Sequence, residues 1–301
     1  AFCTTSWATT SIGRVLCCGN MWRQGGLGAS RDEAFTNTRA NVNFRNLLLT
    51  NDDRVATVTV NRPGVLNALD QATVGELVEV VHDLEQDERV AVVLLTGSGD
   101  KAFVAGADIA EMVAMGELEA RQFSRAGASV MRAIERSHKP WIAVVNGFAL
   151  GGGCELALAC DFIYAAKSAK FGQPEVNLGI IPGFGGTQRL LRRVGVAKAK
   201  EMIFTGEMVR ADEALAIGLC DLVALPGELL DRARKTALAI AAKGPLAIAA
   251  AKRVMHRGQS LPLEEACDQE SAAFANLFSS RDQKEGMSAF LDKRAARFEG
   301  K

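Results

Sequence analysis

The sequence is short of the features that most readily announce a function. It holds one tyrosine, Tyr164, and three histidines, His82, His138 and His256, far apart along the chain. The seven cysteines (Cys3, Cys17, Cys18, Cys154, Cys160, Cys220, Cys267) include no Cys-x-x-Cys pair. A metal centre built on thiolates and imidazoles wants closer clusters, so no metal is expected. Odd in number and scattered, the cysteines read as free thiols in a reducing compartment. Charge of one sign is missing too: Lys plus Arg and Asp plus Glu number 35 each, for a formal net charge of zero. A protein that grips a nucleic-acid backbone carries a basic excess, and here an excess shows only before Arg45, so nucleic acid is not an expected partner.

Long hydrophobic runs are absent as well. The longest, Trp141 to Ala159, is interrupted by Asn146, several glycines and Glu155. A bilayer span needs about 20 apolar residues in a row, so no membrane is expected. Phosphate loops are also lacking. No GxxxxGK string occurs, and Gly183-Phe-Gly185-Gly-Thr-Gln188 stops short of the last glycine of GxGxxG. ATP hydrolysis and nicotinamide chemistry therefore have no foothold.

What is present is a chain of 301 residues, 48% hydrophobic, which can bury one sizeable core. Residues 1–42 stand apart, with Arg14, Arg23, Arg31 and Arg39 among many Ser and Thr and only Asp32 and Glu33 as acids. They read as disordered or targeting, loosely like a transit peptide, or as upstream sequence without a structural role, Met21 being a later start. Order is expected from Asn43. Ala56, Val58 and Val60 alternate with Thr57 and Thr59 in a strand over 54–60, ended by Arg62-Pro63-Gly64. Leu77, Val80, Val81 and Leu84 fall at helical spacing within 70–88. A buried strand over 90–96, a helix over 116–136, and strands over 141–145 and 161–165 follow. Strands alternating with helices point to an α/β fold. From about 198 the pattern is almost entirely helical, broken at Gly244-Pro245, with apolar stripes that need something to pack on.

Three segments carry chemistry. In the first, Lys101 to Met112, Asp108 and Glu111 are spaced as a capping box, after the small residues Ala105, Gly106 and Ala107. In the second, Gly151, Gly152 and Gly153 precede helical sequence that places Glu155 in its first turn. Glycine inside a helix costs about 1 kcal/mol relative to alanine, so three together imply a backbone geometry that matters. That geometry is either a bare N–H aimed at negative charge or a helix start packed closely on a strand. In the third, Glu175 follows Pro174 in an apolar loop. Desolvation there would raise its pKa and suit it to donating a proton, although a lone loop glutamate also fits solvated surface.

Together these strings resemble the crotonase (enoyl-CoA hydratase/isomerase) superfamily, and in particular its short-chain enoyl-CoA hydratase branch. The resemblance rests on Asn61-Arg-Pro63 through Leu66-Asn-Ala-Leu69, Ala105 to Ile109, Asn146 to Asp161, Phe171 to Leu190 and Glu285 to Arg294. It implies a spiral of ββα units over 43–239 and a helical C-terminal trimerisation region over 240–301, in a homotrimer or homohexamer. It implies that the N–H groups of Ala107 and Gly152 form an oxyanion hole, that Glu155 positions and deprotonates the water attacking C3, and that Glu175 delivers the proton to C2. It further implies that Ala105, Gly106, Ala107, Asp108, Ile109 and Ala110 line the acyl-CoA substrate, with Phe274 and Lys293 touching it, in a neighbouring subunit's site if not their own. Coenzyme A arrives as part of the substrate and no separate cofactor is implied. Ala110 departs from the lysine often found there, so one coenzyme A contact is expected to be lost or supplied elsewhere. The implied reaction is hydration of a short-chain 2-enoyl-CoA. Methylglutaconyl-CoA hydration and enoyl-CoA isomerisation are the alternatives within the family, and RNA binding is the alternative from another class. The expected compartment is the cytoplasm, or the mitochondrial matrix if residues 1–42 are a transit peptide.

Overall fold

The computed structural model describes residues 44–301. The reading of 1–42 as disordered or targeting lies outside the described residues. The described residues open with the hairpin β1 (Leu47–Asp52) and β2 (Val55–Val60), joined through Asp53 and Arg54 in left-handed conformations. In β2 the expected inward set, Ala56, Val58 and Val60, is fully buried. Next comes α1 (Gln71–Gln86), whose N-cap Asp70 accepts from the Thr73 amide at 2.7 Å. Asn67, just before it, is completely buried in a left-handed conformation and donates to the carbonyls of Ser98 (3.0 Å) and Ala102 (2.9 Å). It thereby ties this turn to the next unit.

The spiral then repeats strand, short strand, helix. β3 (Val92–Gly97) and β4 (Ala102–Val104) lead to α2 (Ile109–Met112) and α3 (Glu117–Arg136). β5 (Trp141–Val145) and β6 (Phe148–Leu150) lead to α4 (Gly152–Leu158). β7 (Phe162–Ala166) and β8 (Lys170–Gly172) lead through a 3-10 turn, Pro174–Leu178, to α5 (Gly186–Val194) and α6 (Val196–Thr205). The first strand of each unit joins a six-stranded sheet, β1-β2-β3-β5-β7-β10, and the second joins a smaller one, β4-β6-β8-β9. All pairs in these sheets are parallel except β1 with β2 and β8 with β9. This is the ββα spiral implied by the resemblance.

The central strands are buried on both faces, which explains their unbroken apolar runs. Val93, Leu95, Ala143 and Val145 face the main core, while Val92, Leu94, Ile142 and Val144 meet Leu229, Ala233 and Ala237 on a later helix. The last third is less purely helical than its pattern suggests. β9 (Met208–Arg210), α7 (Ala211–Ala216) and β10 (Leu222–Ala224) precede α8 (Pro226–Ala241), the helix that covers the outer face. The three-residue strands close the two sheets and are too short to show a period of two. A division between 239 and 240 falls in the last turn of α8.

α9 (Pro245–Gly258), α10 (Leu263–Leu277) and α11 (Arg281–Leu291) complete the chain. Lys252 of α9, its side chain 8% exposed, donates to Asp161 Oδ2 (2.8 Å) and to the carbonyls of Ile134 (3.0 Å) and Lys139 (2.9 Å). α10 packs against α9 and has no buried residue, leaving Leu263 and Phe274 on its surface, with Phe290 and Leu291 exposed on α11. No helix among the described residues is long and apolar enough to cross a membrane.

Candidate active site

The pairing of β4 with β6 decides where the first two groups lie. Val104 is opposite Ala149, and three residues beyond each the chain reaches Ala107 and Gly152. Segment 105–108 is held by a one-residue parallel bridge between Ala107 and Leu69. In it Leu69 donates to the Gly106 carbonyl and accepts from the Asp108 amide, both at 2.9 Å. That pattern leaves the Ala107 N–H pointing away from Leu69. The Gly152 N–H is the first of a helix and has no intrahelical acceptor. Neither amide donates to a protein acceptor among the described residues. A β-carbon on Gly152 would stand 3.6 Å from Leu69 Cδ1, so both amides flank the same leucine.

Asp108 caps α2 by accepting from the Ala110 amide at 3.2 Å and is paired to Arg62 at 3.1 Å, which also holds Asp70 at 2.9 Å. The expected capping box does not form. Glu111 reaches instead to the Gln71 amide at 2.8 Å, because α2 lies beside the start of α1 and that orphan N–H is within its reach. Ile109 and Ala110 are exposed at the rim.

Glu155 is 1% exposed in the first turn of α4. Its Oε1 accepts from two main-chain amides, Phe184 at 2.7 Å and Gly186 at 2.6 Å. Oε2 takes no protein donor among the described residues. Burial pushes its pKa up, opposed by those amides and by Arg189. Glu175 sits in the turn after Pro174, against Gly151, which adopts φ +48°. Burial, with the charge of Glu155 adding to it, pushes the Glu175 carboxyl up to about 7.

Between the two lies Gln173, fully buried. Oriented with its nitrogen toward Glu175, it donates to Oε1 at 3.1 Å and Oε2 at 3.2 Å. The other side of that amide group lies 2.6 Å from where a β-carbon on Gly186 would be, and Glu155 Cγ is 3.0 Å from the same point. The carboxyl groups of 155 and 175 thus share one neighbour and lie close enough for the charge of Glu155 to act on Glu175. Neither Gln173 nor the Phe184 and Gly186 amides carries a sequence signal of its own. Their roles arise where the third segment folds over the second.

Cys154, next to Glu155, is no nucleophile: burial and both carboxylates hold its thiol far above the ordinary range. Among the described residues no group of three His, Cys, Asp or Glu side chains converges as a metal site requires. Phe274 and Lys293 are not brought to this pocket within one chain. Phe274 is exposed on α10, stacked edge-on to Phe278, and Lys293 follows α11 in a left-handed conformation.

In class, this is an α/β spiral protein of the crotonase type, with a carboxylate pair beside two free main-chain amides. The sequence profile of the enoyl-CoA hydratase/isomerase family matches residues 50–301. A short-chain-enoyl-CoA hydratase of Clostridium acetobutylicum is 49% identical over 251 residues, 83% of this chain and 96% of that protein. A crotonyl-CoA hydratase of Syntrophomonas wolfei is 49% identical over 255 residues, 85% and 98% of the two chains. A solved enoyl-CoA hydratase from Bacillus anthracis superposes with a TM-score of 0.83 at 38% identity, covering 85% of this chain and 100% of that one. The chain belongs to the enoyl-CoA hydratase/isomerase family.

Proposed function

We propose that the protein adds water reversibly, with syn stereochemistry, across the C2=C3 bond of short-chain trans-2-enoyl-CoA thioesters to give 3-hydroxyacyl-CoA. The thioester oxygen accepts from the Ala107 and Gly152 amides. As water attacks C3, the C2=C3 electrons move toward that oxygen, and both amides stabilise the enolate-like charge. Loss of one such donor typically costs about 3 kcal/mol in the transition state. Glu155, ionised, takes a proton from the attacking water through its free Oε2. Glu175, neutral, gives a proton to C2. The next cycle begins when the water-derived proton has passed from Glu155 and Glu175 has been reprotonated. No cofactor takes part, since coenzyme A belongs to the substrate.

The observation that carries this reading is the asymmetry of the two acids. Glu155 is clamped through Oε1 by two amides, which favours its charged form. Burial raises both carboxyls, but Glu175 has no main-chain clamp from another residue to favour its charged form. Groups whose environments push them to different tasks make an acid and a base. An isomerase needs one carboxylate, so the presence of both supports hydration. The 49% identical relatives named for short-chain and crotonyl substrates support the same substrate class. Coenzyme A is expected along Ala105 to Ala110, with Phe274 and Lys293 reaching it from a neighbouring copy in a trimer or hexamer.

The test is hydration of crotonyl-CoA by the purified protein, followed by loss of the enoyl-thioester ultraviolet band and by a product heavier by one water. Turnover no faster than a protein-free blank rejects the reading, and faster turnover of a branched methylglutaconyl thioester moves the substrate assignment.

A further inference from the structure

A second space borders the reaction centre. A cavity of about 980 Å3 opens under α9, walled by Ala128 of α3, Leu158 and Ala159 at the end of α4, and Ile248 and Met255 of α9. Charged and polar side chains share its wall, among them Arg132, Arg192, Arg193 and His256, while Arg189 and Lys252 are engaged by Glu135 and Asp161. The proposed chemistry makes no use of this space.

Phe184 stands between the two. Its amide holds Glu155, and its ring also lines the cavity while remaining 3% exposed. A β-carbon on Gly152, whose N–H is free, would lie 3.1 Å from Phe184 Cε2. On the other side, a β-carbon on Gly127 would fall 2.3 Å from Cδ1, and Phe123 meets the ring edge-on with centroids 5.2 Å apart. Gly127 lies inside the 20-residue helix α3, where glycine is a destabilising choice. What it provides there is room for the ring. Phe184 is therefore wedged between two glycines, one of them at the reaction centre, and cannot shift toward α3.

We propose that the Phe184 ring is the end wall of the acyl pocket, and that it restricts the protein to short acyl chains by separating the reaction centre from the cavity under α9. This rests on the hydratase reading. Removing the ring joins the two spaces and gives the alkyl tail of a medium-chain substrate an apolar path past Leu158 and Ala159. Each newly buried methylene multiplies binding by about four.

The experiment compares kcat/KM for crotonyl-, hexenoyl-, octenoyl- and decenoyl-CoA in the full-length wild type and in Phe184→Ala, which keeps the main-chain N–H that Glu155 uses. The wild type should lose about tenfold or more between crotonyl- and decenoyl-CoA, and Phe184→Ala should raise the decenoyl-to-crotonyl ratio by about tenfold or more. Two outcomes overturn the proposal: a wild type that handles both substrates equally, or an unchanged ratio in a variant that still turns over crotonyl-CoA. If Phe184→Ala fails to fold, inhibition of the wild type by saturated butyryl- and decanoyl-CoA decides. Weaker inhibition by the longer chain supports the wall, and tighter inhibition overturns it. A wild type inactive on every chain length instead overturns the hydratase reading itself.

Discussion

The Glu175 carboxylate occupies the place of a side chain on Gly151: a β-carbon there would lie 2.7 Å from Glu175 Oε1. The glycine also adopts φ +48° and caps α4, the helix that carries Gly152 and Glu155. One residue therefore sets the approach of the proton donor and the start of the helix that holds its partner. Gly151→Ala should lower kcat on crotonyl-CoA by about 100-fold or more, the scale of a displaced acid–base group. Steady-state kinetics alongside a thermal melt check this. A folded variant with wild-type kcat would show that Glu175 does not depend on that space.

Removing either carboxylate should be as damaging. Glu155→Gln and Glu175→Gln are each expected to cut kcat by two or more orders of magnitude without unfolding the protein. Circular dichroism reports the fold, and crotonyl-CoA turnover reports the loss. Full activity in Glu175→Gln would reject the two-carboxylate mechanism.

The raised carboxyl of Glu175 gives stability a pH dependence of known sign. Its folded pKa of about 7 lies above the ordinary 4.5. Between those values the folded state holds a proton that the unfolded state has released, so stability falls as pH rises through that window. Glutamine resembles the protonated form and removes this penalty. The Tm of Glu175→Gln minus that of wild type should therefore grow from pH 5 to pH 8. Hydration by the wild type should decline as pH rises through about 7, when the donor loses its proton, with the apparent values belonging to the coupled pair. A Tm difference that does not change with pH would place the carboxyl in a normal environment.

Lys252 fastens α9 to the core with three donated bonds, one of them to Asp161. Lys252→Met keeps the stem but, among the described residues, removes the only charge paired with Asp161, which then keeps just the Trp141 amide, and one donor from each of two carbonyls. Breaking a pair this deeply set costs roughly 3–5 kcal/mol. Urea denaturation should show the unfolding free energy falling by that amount, seen as a lower midpoint at unchanged slope, and an unchanged midpoint would mean that water replaces the ammonium without loss.

Long, periodic stretches were readable directly. The alternation of Ala56, Val58 and Val60 marks β2, and the expected helices over 70–88 and 116–136 appear as Gln71–Gln86 and Glu117–Arg136. The expected 141–145 strand is Trp141–Val145. The small sheet was not readable, because β4, β6 and β8 have three residues each and take their order from neighbours rather than from a pattern. In the candidate site, Glu155, Glu175, Ala107 and Gly152 follow from the family motifs, and the fold places Ala107 and Gly152 on either side of Leu69 and Glu175 against Gly151. Gln173 and the Phe184 and Gly186 amides carry no comparable mark. A buried glutamine and two main-chain N–H groups acquire a role only when distant segments meet.

Because the Glu155 carboxylate leans on the peptide backbone at 184 and 186, the side chain at 184 takes no part in holding it, whereas any β-carbon at 186 would press on Glu155 Cγ and Gln173. Anyone redesigning the protein can vary the side chain at 184 and keep the base in place. The loop from 183 to 186 has to keep its length and its trajectory, so an insertion or deletion there would do more harm than most substitutions.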